Sequence, residues 1–398
     1  MSRPTIIVLG MLTKIPVAGP AWLVIHYMVA LRRLGYDPWY VEAHARTPSM
    51  FMRRADDDGS ANAAAFVARV LGRFGFGDRW AFHALHDDGR VYGVSEARLR
   101  RLYRSAELIL NLHGGTVPLP EHAETGRLVY VETDPVELQV ELYEQRPEAL
   151  AFVEPHMAFF TWGLNYGGAD CRVPLPDGID WLPSPPPVLL DQWSGHRRPA
   201  AGPFTTIGNW EQRWREVVLD GETYHWSKHL EFMKVIDLPA RVSSPLELAL
   251  SSYGEHDREL LEGHGWRVRP ALDFSSELDA YRTYIQLSRG EFSVAKDQNV
   301  RLKSGWFSER SATYLAAGRP VILQDTGFDS FLPTGEGLLT FSSVDEAAAA
   351  LESVAADYER HARAAEEIAR DYLDAELVLA RMLDAVGVSV KPAAGSVT

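Results

Sequence analysis

Residues 303–325, KSGWFSERSATYLAAGRPVILQD, join a polar loop, a helix and a buried strand in one run. Ser308 is placed to cap the helix, with Arg310 and Ser311 in its first turn. A first turn leaves backbone N–H groups without intrahelical partners and carries the positive end of the helix dipole, so a phosphate or diphosphate is well matched to it. After Ala317 comes Gly318, suited to a left-handed cap, and Pro320 and Val321 open an apolar strand of the kind buried in parallel sheets. The segment reads as half of a nucleotide or phosphate site. The competing reading is an ordinary helix between strands, because capping residues start most helices whatever they bind.

The same alternation runs outward in both directions. Residues 5–9 are a continuous β-branched strand, 20–35 have apolar residues at helical spacing before Gly35, and 37–43 return to strand character. A helix at 61–74 and strands at 106–112 and 128–133 follow. Such alternation predicts a parallel α/β sheet, whose ligand crevice lies at the carboxyl ends of the strands. Residues 173–203 are rich in proline and glycine and read as an interdomain connection. Beyond them the pattern restarts: a strand at FTTIGNW, helices at 225–235 and 258–264, a strand at 266–272, a helix at 277–284, the strand GEFSVAK, and a helix at 344–355. A helical tract at 358–386 ends the pattern. The expected division is an N-terminal Rossmann-like domain at 1–180, a second at 203–370, and a terminal helix and tail at 371–398 that packs back on the first.

Composition narrows the function. With 398 residues the chain is long for a single core, and 46% hydrophobic with 24% charged residues is the balance of a globular protein. No apolar run approaches the roughly 20 residues that cross a bilayer, and the start lacks the pattern of a signal peptide, so a cytoplasmic location is expected. The single cysteine, Cys171, excludes an internal disulfide and argues against a cysteine-based metal site. A formal charge of -14 argues against nucleic-acid binding, so an anionic ligand must be met by a local cluster of cations. There is no G-x-G-x-x-G in the loop 11–19, no G-x-S-x-G, no P-loop lysine motif and no zinc helix.

Several residues carry candidate chemistry. Lys296, Arg301 and Lys303 precede the Ser308 helix, and a loop folded back over the helix start would bring them to the anion beside Arg310. Gly208 permits close backbone approach, and Asn209 offers a donor and an acceptor at the end of FTTIGNW. Trp210 and Trp214 read equally as core or stacking residues. His113 follows an apolar strand and precedes two glycines, where it could take a proton from a hydroxyl or bond a sugar. Glu132 and Asp134 end the next strand as candidate carboxylates, with a structural reading of Asp134 as a helix cap. Residues 56–58 look like a solvated loop.

Taken together, WFSERSATYLAAGRPVILQDTGF, LPTGEGLLTF and GMLTKIPVAGPAWLVIHYMVALRRLGYDPWYVE resemble the GT-B-fold glycosyltransferases, with a second half similar to the family 4 type. The resemblance implies two Rossmann-like domains facing each other across a cleft. It places Ser308, Arg310 and Ser311 at the diphosphate of a nucleotide-sugar, residues 10–19 toward sugar and acceptor, and His113 where such enzymes place a histidine. The chain departs from the family at Thr313, which stands where the second of a glutamate pair is usual; Glu309, one turn back on the same face, is the substitute candidate for the ribose contact.

The expected activity is that of a metal-independent, hexosyltransferase-like enzyme moving a sugar from a nucleoside diphosphate donor to an acceptor hydroxyl, with no further cofactor. His113, Asp134 and Glu309 are the catalytic candidates; Gly208, Asn209, Lys296, Arg301, Lys303, Ser308, Arg310 and Ser311 are the donor-binding ones. Expected partners are the nucleotide-sugar and an acceptor, with a homodimer as one open arrangement. Arg310→Ala is expected to weaken donor binding without unfolding the protein. The rivals are a nucleotide-sugar epimerase of the same fold and a non-catalytic auxiliary subunit, with a solute-binding protein ranked below them.

Overall fold

The structure, a computed structural model, describes residues 3–43, 51, 57–85, 87–195, 199, 201–212 and 215–388. Its first sheet contains β1 Thr5–Leu9, β2 Asp37–Ala43, β3 Trp80–His83, β4 Val91–Tyr92, β5 Leu108–Leu112, β6 Leu128–Glu132, β7 His156–Thr161 and β8 Trp181–Pro183. The order is β4-β3-β2-β1-β5-β6-β7-β8, parallel throughout except for the β3–β4 edge pair. After β9 Phe204–Asn209 comes a separate antiparallel hairpin of β10 Glu216–Leu219 and β11 Glu222–His225. A second sheet joins β9 to β12 Leu246–Ser251, β13 Arg267–Pro270, β14 Gly290–Ser293, β15 Val321–Gln324 and β16 Leu338–Phe341. It is parallel in the order β13-β12-β9-β14-β15-β16. Both sheets have the doubly wound order in which the first strand lies at the centre and the chain reverses direction beside it, and the crevice at that reversal is the usual ligand position.

The sequences of the central strands explain their place. Ile6, Ile7, Val8 and Leu9 of β1 are fully buried between β2 and β5, with Val8 opposite Tyr40 on one side and Leu110 on the other. In β9 the inward residues include Thr205 and Thr206, whose hydroxyls are satisfied by Ser288 and Ser293. The helix Ala18–Arg33 is buried on nearly every side and so shows little amphipathic contrast. Its neighbours include β2, the second-domain helix Leu278–Leu287 and the C-terminal helix Ala375–Ala385.

The structure departs from the sequence expectations in several places, among them β8 and the helix Leu190–Trp193 within the segment 173–203 read as a connection. The start of the expected helix at 225–235 is the end of β11, and only His229–Lys234 are helical. Asp220 and Gly221, with φ of 51° and 81°, turn this hairpin. The tract at 358–386 is divided into Tyr358–Ile368, a π turn at Ala369–Leu373, and Ala375–Ala385. Asp374 leaves helical geometry there, and its carboxylate accepts from the Glu376 and Leu377 amides.

The chain passes between the lobes twice, and the passages touch: the Val188 amide donates to the Leu373 carbonyl (2.8 Å), and the Ala375 amide donates to the Val188 carbonyl (3.0 Å). The first sheet takes in β8 before the first passage. A second seam lies at residues 302–305, where the Leu302, Ser304 and Gly305 carbonyls accept from the Arg172, Asn165 and Leu164 amides of the first lobe. Gly305 is required here: at φ 80°, a Cβ would stand 2.0 Å from the Asn165 nitrogen.

Candidate functional site

The carboxyl ends of both sheets open into one cleft of about 510 Å³. From the first lobe, the loop after β1 supplies Met11, Ile15 and Val17, His113 follows β5, and Thr133 and Asp134 follow β6. The second lobe supplies Gly208 and Asn209 at the end of β9, Trp226 and Lys228 after β11, Lys296 after β14, and Ser308, Glu309 and Arg310 at the helix start.

The loop after β1 is held from beneath. The Leu12 amide donates to the Tyr40 hydroxyl (3.0 Å), the Thr13 amide to the Glu42 carboxylate (3.0 Å), and Lys14 Nζ to the Gly115 carbonyl (2.9 Å). A Cβ on Gly10 would lie 2.5 Å from the Tyr40 ring, so close approach of the two fixes glycine there. His113 sits at φ 66°, uncommon for a residue with a side chain, and its Nδ1 is 2.7 Å from Thr133 Oγ1. Burial lowers its pKa to about 3, so the ring is neutral near pH 7, suited to hydrogen bonding but weak as a proton acceptor.

The helix Glu309–Ala316 starts as its sequence indicates. Ser308 Oγ accepts from the Ser311 amide (3.1 Å) and bonds Ser311 Oγ (2.9 Å), which leaves Ser311 fully buried and outside the cleft lining. Glu309 reaches toward the first lobe: its Oε1 would be 3.8 Å from a Cβ built on Gly19. Burial raises its pKa, opposed by the neighbouring Arg310. Thr313 is buried beneath, donating to the Arg310 carbonyl (2.6 Å).

The basic residues separate into different roles. Lys296 reaches across the cleft to Asp134 (2.5 Å) and lies 3.8 Å above the Trp226 ring centre. The other carboxylate oxygen of Asp134 is buried with no protein hydrogen-bond partner, and burial, offset by Lys296, raises the Asp134 pKa. Arg301 and Lys303 do not join Arg310. Arg301 bonds Glu222 and the Thr223 carbonyl beside the hairpin, and Lys303 pairs with Asp325 (2.6 Å). The reason is the seam at 302–305, which ties this loop to the first lobe instead of folding it over the helix start.

Arg310 lines the cleft, yet its guanidinium is engaged behind it: Nε bonds the fully buried Glu291, one terminal nitrogen donates to the Ile207 carbonyl (2.6 Å), and the other to Ser293 Oγ (3.2 Å). Arg310 therefore also supports the second lobe, because its removal would strand a buried carboxylate.

Sequence reasoning missed Lys228. Its ammonium is buried, donates to Ser293 Oγ (3.3 Å) and lies 5.6 Å from the Trp306 ring centre; among the described residues no carboxylate stands within 4.0 Å of it. Burial, then repulsion from Arg310, pushes its pKa well below the ordinary lysine value. The available signal was Asp220-Gly221 between alternating apolar residues, which marks a hairpin and so brings Trp226 and Lys228 back to the strand ends.

The remaining candidates fall as follows. A Cβ on Gly208 would meet nothing within 4 Å, so this part of the cleft wall is open to a ligand, and Asn209 is exposed beside it. Trp210 belongs to the second-lobe core, while Trp214 lies outside the described residues. Glu132 is fully buried behind the cleft and bonds Thr161 and Gln139. Asp58 caps the helix Gly59–Arg73, and Asp56 lies outside the described residues. Among the described residues there is no cluster of three or more metal-ligating side chains and no helix long and apolar enough to cross a membrane.

No family model and no curated protein matches the sequence. Solved structures do match the fold. Anabaena Alr3699/HepE in complex with UDP and glucose aligns over 96% of this chain and 99% of its own, at 14% identity and a TM-score of 0.55. Sucrose-phosphate synthase from Thermosynechococcus elongatus aligns over 97% and 98%, at 12% identity and 0.55. An α-glucosyltransferase in complex with UDP and a 13-mer DNA aligns over 97% and 100%, at 11% identity and 0.57. Two doubly wound sheets facing one cleft, matched along nearly the whole chain, give this protein the GT-B fold of glycosyltransferases.

Proposed function

We propose that the protein transfers a sugar from a nucleoside diphosphate donor to an acceptor hydroxyl without a metal ion. The observation that carries this reading is Lys228, a buried ammonium at the cleft with no carboxylate at contact distance. Such a group is costly without a counter-ion, and a diphosphate supplies one. The first turn of the Ser308 helix offers backbone N–H groups and a positive dipole end to the same anion, with Lys296 nearby on the same wall. The matched structures carrying UDP support this choice of ligand.

In this reading the second lobe, about 203–370, holds the donor, and the first, about 1–180, holds the acceptor. The bond between the anomeric carbon and the diphosphate oxygen breaks, the acceptor oxygen bonds that carbon, and the hydroxyl proton is released. Negative charge grows on the departing diphosphate, where Lys228, Lys296 and the helix start stabilise it more as the bond breaks. Glu309 and His113 stand at the sugar, the former for hydroxyl or ribose contact and the latter as a neutral hydrogen-bonding group.

Calorimetric titration with UDP, GDP, ADP and dTDP tests the reading in metal-chelated buffer. At least one is expected to bind and raise the unfolding temperature, and Lys228→Ala is expected to weaken that binding. Absence of binding by all four, or binding indifferent to Lys228, would remove it.

A further inference from the structure

The acceptor half of the cleft has a chemistry of its own. Its first-lobe wall is built from Met11, Ile15, Val17, Leu23 and Trp162, and Leu272 faces the same space from the second lobe. Ile15 is 42% exposed and Leu272 53% exposed, although most large apolar side chains of this protein are buried. Ile15 is not displayed by a loose loop, since Leu12, Thr13 and Lys14 are each hydrogen-bonded to Tyr40, Glu42 or Gly115. A fixed apolar surface beside a polar reaction centre marks a binding surface for an apolar group.

The polar groups on this side select in the same direction. Lys14, the cation of that loop, is engaged by the Gly115 carbonyl and does not line the cleft. His113 faces Thr133, and Lys296 is matched by Asp134. A phosphorylated or carboxylated acceptor would meet Asp134 and Glu309 with no unmatched cation among the described first-lobe residues of the wall. A small polyhydroxy acceptor would have to strip water from its hydroxyls against Met11, Ile15 and Val17, which return no hydrogen bonds.

We propose that the acceptor hydroxyl is carried on an uncharged apolar body, of aryl or alkyl type, that lies between Ile15 and Leu272. This inference rests on the transferase reading above and names the substrate class of the same site.

The test is calorimetric binding to the UDP-saturated full-length protein, using octyl β-D-glucoside below its micelle concentration, methyl β-D-glucoside and glucose 6-phosphate. The octyl compound is expected to bind at least about tenfold more tightly than the methyl one, because two fully buried methylenes already supply about that factor. Ile15→Asp is expected to remove most of the difference, and Leu272→Asp serves as a second exposed-site variant; circular dichroism checks the fold of each. Equal or tighter binding of methyl glucoside or glucose 6-phosphate, or an octyl advantage that survives both variants, overturns the inference while UDP binding keeps the transferase reading. Failure of every nucleoside diphosphate to bind overturns both.

Discussion

Replacing Arg310 by alanine probes the base of the cleft most directly. The side chain satisfies Glu291 and donates to the Ile207 carbonyl and Ser293 Oγ, all within the second lobe. Glu291 is fully buried, and its second oxygen already has no protein partner. Truncation would leave a carboxylate in a place water does not reach, for which breaking one side of a buried pair costs about 3–5 kcal/mol. For a lobe of this size each kcal/mol moves the midpoint about 2–4 °C, so the second lobe should unfold about 6–20 °C lower. Differential scanning calorimetry reads this, with CD confirming a folded start. The double variant Arg310→Met, Glu291→Met removes both charges and should recover most of the loss, since buried pairs replaced by apolar residues are often neutral in stability. An unchanged midpoint in Arg310→Ala, or a double variant no better than the single one, would show that the pair does not hold the lobe together.

Lys228→Ala should weaken UDP binding about tenfold to a hundredfold, the range of a charge-assisted hydrogen bond, as read by calorimetry. Because burial lowers the Lys228 pKa and an anion favours the charged form, UDP affinity should fall as pH rises through that depressed value. Above that value binding should also take up a proton, visible as a heat that depends on the buffer. Burial raises Glu132 to about pKa 7, against a usual 4.5. Its stability contribution is thus full below pH 4.5 and lost as pH rises through 7, a change of about 3 kcal/mol, so denaturant titrations should show Glu132→Gln gaining on the parent over that window. Gly10→Ala should cost about 1–3 kcal/mol by forcing the Tyr40 ring aside, and should disturb acceptor turnover more than UDP affinity.

The strands most legible in the sequence are those buried on both faces. TIIVL and DPWYVEA read as β1 and β2 at their observed bounds, because a continuous apolar run with turn residues at each end has few other uses. The helix at 309–316 was equally plain from Ser308 and Gly318, whose φ of 65° is the left-handed cap. What escaped was information held in pairs distant along the chain. Nothing local to Arg310 announces Glu291, and nothing local to 302–305 announces the backbone of 164–172 that captures it and carries Arg301 and Lys303 away from the cleft. Lys228 was hidden differently: its hairpin was spelled by Asp220-Gly221, but an apolar periodicity at 225–235 favoured a longer helix.

The two passages between the lobes touch at Val188, Leu373 and Ala375. A single strand of chain acts as a swivel, whereas two strands hydrogen-bonded side by side act as a strap. A strap bends readily across its width and resists being wrung. Any movement of one lobe against the other would have to bend or break this pair of hydrogen bonds, a restraint that a single connection would not impose.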